Sequence, residues 1–174
     1  MKACWTQPEI KFAGRFWQLD GGAMEPKPFQ KPHPPLWFGG SAPAALRRAV
    51  RHGDGFFGAG SQTTAQFAEQ VPLVRAALEQ EGRTSFKIAK RVYLAVDEDA
   101  ARARERLSAA LERMYAVFGA PDLTPVTVSG PPEAVVVGLR AVVDAGAEMI
   151  LLNPLFDEAE QMERLAAEVM PHLA

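Results

Sequence analysis

The chain has 174 residues, with 19 Lys+Arg against 21 Asp+Glu, a formal charge of −2 and 48% hydrophobic residues. This is a globular composition that excludes a disordered polyelectrolyte, and the near-neutral balance leaves no electrostatic footprint for nucleic acid or an anionic membrane. A single cysteine, Cys4, forms no intrachain disulfide, MKACWTQPEIKF lacks an apolar signal core, and no apolar run approaches the ~18 residues that span a bilayer, so a reducing cytoplasmic setting is the simplest reading.

Residues 1–34 predict an irregular arm. Gly14, Gly21 and Gly22 are followed by Pro26, Pro28, Pro32 and Pro34, which should run extended or polyproline-like. Trp5, Phe12, Phe16 and Trp17 are too apolar for a free tail and are expected to lie on something, in this chain or in a neighbour.

Residues 35–174 alternate short apolar runs with amphipathic helices. Leu36–Phe38 predicts a strand ending at Gly39-Gly40, and Ser41 suits the N-cap of a helix to about His52. Phe56-Phe57 begins a second strand ending in Gly58-Ala59-Gly60. Thr63 or Thr64 then caps a helix carrying Phe67, Val71, Val74 and Leu78, with a kink or interrupted turn expected at Pro72. A third strand runs from about Phe86 to Val96. Asp97 is read as the cap of a long helix with Leu107, Leu111, Met114 and Phe118, on which Arg102, Arg104 and Arg106 read as a salt-bridged solvent face. After a connection over residues 121–129, a helix from Pro131 closes at Gly146. A fourth strand, Met149–Leu152, ends at Asn153-Pro154, and Asp157 starts a terminal helix to about Leu173.

Such strand–helix alternation predicts an α/β fold with a parallel sheet, in which ligands bind at the carboxyl ends of the strands. The candidate loops are therefore Gly39-Gly40-Ser41, Gly58-Ala59-Gly60-Ser61-Gln62-Thr63, Asp97-Glu98 and Asn153-Pro154-Leu155, while Asp54 and Glu148 fall on the opposite, structural end. The glycines serve either tight turns or the approach of an anionic ligand to the backbone at a helix N-terminus. In the third strand Lys90 shares a face with Val92, Leu94 and Val96, and Arg91 and Tyr93 share the other. Arg91 either points inward, where it needs an acidic or ligand partner, or reaches solvent near the strand start. His33, His52 and His172 have no metal-ligand spacing, so no metal site is expected, and Cys4 reads as an inert thiol. No general base or nucleophile is assignable.

The segments WTQPEIKFAGRFW, PKPFQKPHPPLWFGGSAPAALRRA, HGDGFF, KRVYLAVDED, VSGPPE and DAGAEMILL, in this order, resemble the carboxyl-terminal half of the luciferase-like flavin-dependent monooxygenases, which use FMN or coenzyme F-420. The resemblance implies the C-terminal half of a (β/α)8 barrel, about four strands with covering helices. It also implies that Gly39, Gly40, Ser41, Gly58, Gly60 and Ser61 line a flavin, with Arg91 and Tyr93 at the substrate or barrel interior. A full barrel takes about 250 residues, and the WTxPxIxFxG segment stands midway along family members but at residue 5 here. The expectation is thus an N-terminally truncated or split oxidoreductase that acts on a small organic substrate and needs a separate N-terminal half. The alternatives are a non-catalytic half-barrel that folds as a homodimer, and a small phosphate-binding module supported by the glycine loops alone.

Overall fold

The computed structural model describes residues 1–119 and 122–173, so Pro121, at the start of the expected 121–129 connection, lies outside the described residues. The chain divides into two compact units, Met1–Leu36 and Trp37–Ala174.

The first unit has more regular structure than its glycines and prolines suggest. It holds a short helix α1 (Lys2–Thr6) and an antiparallel hairpin, β1 (Lys11–Ala13) with β2 (Gln18–Asp20), registered Phe12 to Leu19. Ile10 is its buried residue; its N–H donates to Gly22 O at 2.9 Å and its carbonyl accepts from Gly21 N at 2.9 Å. Lys27 Nζ donates to Cys4 O at 3.1 Å and Met24 O at 2.9 Å, and bends at 25–26 and 29–32 interrupt the expected extended run. Trp5 packs on His33 with ring centroids 6.0 Å apart, whereas Phe16 and Trp17 are exposed.

The second unit is a parallel sheet with crossover helices. Its elements are β3 (Trp37–Gly39), α2 (Pro43–His52), β4 (Gly55–Gly58), α3 (Thr64–Gln80), β5 (Lys87–Val96), α4 (Ala100–Tyr115), β6 (Thr127–Gly130), α5 (Pro132–Asp144), β7 (Met149–Asn153) and α6 (Glu158–Arg164), which two tighter or wider turns extend to His172. Strand β6 was not among the four that the sequence predicts.

Register fixes the strand order. Ala89 and Lys90 of β5 pair with both β4 and β7, so those two strands occupy opposite edges. Tyr93 pairs with both Thr127 of β6 and Asn153 of β7, which puts β6 on the β4 edge, beyond the end of β4. Four strands therefore run in the order β3-β4-β5-β7, with β6 laid against the upper half of β5. Among the described residues the outer strands β3 and β7 have no further strand partner.

The even-numbered residues of β5 and their neighbours form the helix-covered face. Phe56, Ile88, Val92, Leu94 and Val96 join Leu46, Phe67, Val74, Val135, Leu139 and Leu165 in the main core. Where β7 ends, Gln161 takes over its edge of β5: its Oε1 accepts from Val96 N–H at 2.7 Å and its Nε2 donates to Val96 O at 3.0 Å.

Helix starts differ from expectation by a residue or two. Ala42, not Ser41, precedes α2, whose Pro43 fills the first position and supplies no N–H that needs a cap. Thr63 forms a capping box with Gln66 on α3, and that helix continues through Pro72, which lies on its exposed side. Asp99, not Asp97, caps α4; Asp97 instead pairs with Arg102 at 2.6 Å, which holds its carboxyl well below the usual carboxylate range. Arg106 pairs with Asp157 at 2.7 Å, in keeping with a salt-bridged face. At the opposite end of the strands Asp54 pairs with Arg83 at 3.8 Å and Glu148 with Lys87 at 3.3 Å.

Candidate functional site

The two glycine loops leave adjacent parallel strands at their carboxyl ends, so they lie side by side. Gly39 ends β3, and a Cβ placed on it would sit 3.5 Å from Phe57 O of β4. Gly40 has φ +142°, a conformation that L side chains rarely adopt, and an added Cβ would fall 2.6 Å from the Ala45 Cβ. Only glycine lets the chain turn this closely into α2. Ser41 is exposed and makes no cap.

The second loop is built into the sheet more tightly. Gly58 packs under the Phe67 ring, and Gly60 is buried against β5: an added Cβ would lie 2.6 Å from Tyr93 Cε2 and 2.9 Å from Arg91 Cδ. The Gly60→Ala variant is expected to lose about 1–3 kcal/mol through overpacking against the buried Tyr93 ring, read by chemical denaturation. Ser61 is exposed, with its hydroxyl near the Tyr115 phenol at the end of α4. Gln62 Oε1 is buried with no hydrogen-bond partner, an orphaned acceptor beside the loop.

Gly60, Ser61, Arg91 and Tyr93 are thus brought together, with Tyr115 as a member that the sequence reading did not single out. Tyr93 is fully buried against Leu111 and Leu123, and its hydroxyl meets the Tyr115 hydroxyl at 2.9 Å. Burial and then the Tyr93 hydroxyl push the Tyr115 phenol up to about 12, so the Tyr115 ring stays protonated at neutral pH. Arg91 is exposed, on the same face of β5 as Tyr93. Its Nη1 lies 3.5 Å from Tyr93 Oη, and among the described residues no carboxylate forms an ion pair with it. Leu107 and Leu111 repeat every four residues, and Tyr115 is the next step on that stripe; this spacing was the available signal.

Lys90 was also missed as a polar group of interest. It is buried on the helix-covered face, and its Nζ donates to Ala59 O at 3.1 Å and Gln62 O at 2.8 Å. A lysine within an otherwise aliphatic face is the sequence mark of such a site. A separate cleft of about 300 Å³, lined by Ser108, Glu112, Tyr115 and Leu123, touches this cluster only through Tyr115. Among the described residues no group of three or more His, Cys, Asp or Glu is placed to hold a metal ion, and no helix is long and apolar enough to cross a membrane.

A family model described as luciferase-like monooxygenase matches residues 1–149. The chain belongs to the luciferase-like monooxygenase family. It is 32% identical over 108 residues to an FMNH2-dependent dimethylsulfone monooxygenase of Pseudomonas putida, a match covering 62% of this chain and 29% of that protein. Among solved structures, an F-420-dependent secondary alcohol dehydrogenase in complex with an F-420–acetone adduct superposes with TM-score 0.81 at 17% identity, over 99% of this chain and 58% of that one. The coenzyme F-420-dependent tetrahydromethanopterin reductase of Methanopyrus kandleri gives TM-score 0.80 at 17% identity, over 99% and 60%. A monooxygenase from Streptomyces bottropensis gives 0.80 at 22% identity, over 99% and 58%. The luciferase-like chain thus spans about three-fifths of the length of these structures and carries the fold of a partial (β/α) barrel, with its parallel sheet backed by helices.

Proposed function

We propose that this luciferase-like chain is the carboxyl-terminal half of an oxidoreductase that binds FMN or coenzyme F-420 and acts on a small organic substrate. In this reading residues 1–34 form an arm and residues 35–174 the half-barrel, and the remaining strands come from a separate N-terminal half. The observation that carries it is the Gly58–Ser61 loop, set at the strand ends with Gly60 against Tyr93 and the unpaired Arg91 guanidinium beside it.

The residues present fit a phosphorylated cofactor. A Cβ-free loop lets an anion reach the backbone, an exposed cation without an acidic partner complements its charge, and Ser61 and Tyr115 add hydroxyls. Gly39, Gly40 and Ser41 on the neighbouring strand extend the lining. The flavin would supply the hydride or oxygen chemistry when bound. Arg91 would orient the substrate or the cofactor's anionic group, and the paired phenols of Tyr93 and Tyr115 would hold that wall rigid. The names of the relatives, one FMNH2-dependent and two F-420-dependent, support both cofactors equally.

The test is titration of the purified full chain with FMN and, in parallel, F-420. The expected result is a perturbed flavin spectrum on binding, lost in Arg91→Ala. Absence of binding by the chain alone removes the catalytic reading for this polypeptide, though not its family.

A second reading rests on a different observation, the unpartnered outer strands. Four strands in the order β3-β4-β5-β7 leave two parallel edges, and edges of that kind seek pairing. A two-fold axis parallel to the strands would place β3 of one copy beside β7 of another and so complete eight. The exposed side chains of Met149 and Leu151 on β7 favour such a homodimer. A folded monomer in light scattering at micromolar concentration would exclude it.

A further inference from the structure

Strand β5 turns two consecutive side chains to opposite faces beneath one loop. On the helix-covered face Lys90, 2% exposed, donates from Nζ to Ala59 O at 3.1 Å and to Gln62 O at 2.8 Å, with Arg91 O at 3.5 Å and the Phe67 ring centroid at 5.7 Å. On the other face the stem of Arg91 and the ring of Tyr93 press against Gly60. The 59–62 segment is therefore held from both sides. An ammonium has three donors and no acceptor, and burying one without a carboxylate is costly where a methionine would fill the same space. What the cost secures is a fixed path for a loop whose own backbone bonding is a turn, Gln62 N–H to Ala59 O at 3.3 Å.

We propose that Lys90 is a positioning residue for the cofactor loop, drawing the Ala59 and Gln62 carbonyls toward the helix layer so that Gly60 and Ser61 are set to receive an anionic group. The proposal rests on the reading of this loop as the cofactor site. Lys90 acts through the loop backbone and touches neither cofactor nor substrate.

The charge is open to titration, because burial lowers the ammonium to about 8. Its neighbours on β4, α3 and β7 include Gly58, Phe67 and Ile150, all uncharged, and among the described residues no carboxylate forms an ion pair with it. Its ionisable neighbours Arg91, Tyr93 and Tyr115 lie across the sheet, and Tyr115, at about 12, does not titrate in the same range. The second phosphate ionisation falls near pH 6, so a flavin phosphate is a dianion throughout pH 7–9.5. An anion bound on the loop favours the protonated amine, and by linkage the anion binds more weakly once the amine is neutral.

The experiment compares FMN affinity and unfolding of the full wild-type chain with those of Lys90→Met at several pH values, with F-420 in parallel. The Lys90→Met variant is expected to bind FMN at least about tenfold more weakly, while its denaturation midpoint at pH 7 stays unchanged or rises because a buried charge is gone. Wild-type affinity is expected to fall at least about fivefold between pH 7 and pH 9.5, whereas that of Lys90→Met stays flat. A lysine that merely filled the core would leave the affinity and the pH profile of binding alone, whatever the midpoint does. Equal FMN binding by the two proteins at every pH overturns this proposal and spares the site reading; failure of the wild-type chain to bind either cofactor overturns both. Should Lys90→Met not fold, the wild-type pH series decides, since a flat profile there also overturns the proposal.

Discussion

Replacing Phe67 by alanine is expected to cost about 3–5 kcal/mol, the largest effect of any single truncation near the site. The ring is fully buried in the main core between α3 and the sheet. It also roofs Gly58, where an added Cβ would lie 2.6 Å from Phe67 Cδ2, and it stands over the Lys90 ammonium. Truncation therefore opens a void lined on one side by apolar core and on the other by a charged group. Chemical denaturation should show the loss, and thermal melting a drop of roughly 10 °C for a chain of this size.

A second signature separates this cavity from an ordinary one. In the wild type the Lys90 pKa is lowered from 10.5 to about 8 by burial. The unfolded chain thus binds more protons than the folded one between those values, and stability rises with pH across that window. Water admitted by Phe67→Ala restores the amine toward its ordinary value, so the rise should flatten in the variant. An unchanged slope would mean that the cavity stays dry and that the ring does not control the amine.

The Gln161→Leu variant is expected to lose about 2–4 kcal/mol. Gln161 is 5% exposed and is the partner of Val96 where β7 no longer reaches. Leucine keeps the volume but leaves the Val96 N–H unpaired in a buried setting. The Val96 carbonyl loses the Gln161 amide yet retains Arg164 Nη1 at 3.2 Å, which sets the loss below that of two orphaned groups. Amide exchange at Val96 should accelerate while exchange at Ile88 stays slow. Equal acceleration at both would point to global destabilisation rather than to a lost edge partner.

Much of the architecture was legible because β5 is buried on both faces over most of its length, against the main core on one and α4 on the other, which requires a near-continuous apolar strand. The run from Phe86 to Val96 and the periodic stripes of α3 and α4 could be read directly. Strand β6 could not: Thr127-Val128-Ser129-Gly130 holds one large apolar residue, and its pairing comes from the upper half of β5 rather than from its own pattern. The hairpin of the first unit was hidden for a related reason, since all six of its strand residues are exposed and no alternation marks a buried side. Pro72 predicted a kink or an interrupted first turn; α3 runs unbroken through it, with the proline on its exposed side.

The site was partly legible. Glycines at strand ends and the Arg91–Tyr93 pair were visible from position alone. The burial of Lys90 and the meeting of Tyr93 with Tyr115 were not, since each depends on what a neighbouring element brings over the sheet. The Gly58–Ser61 loop read in sequence as either a tight turn or an anion approach, and its contacts with β5 on both faces are a tertiary property.

The alternation at the centre of β5 also acts as an address label. A slip of one residue against β4, β6 or β7 would exchange the faces of every side chain on the strand. Lys90 would then lose its two carbonyls and enter the open face, and the Arg91 guanidinium would enter the helix layer, where only apolar residues and the loop carbonyls await it. Since three ladders meet on this one strand, the same slip would misalign all of them at once. The adjacent lysine and arginine thus tell the assembling chain which way β5 faces, a safeguard against misthreading in a fold whose outer strands are still open to pairing.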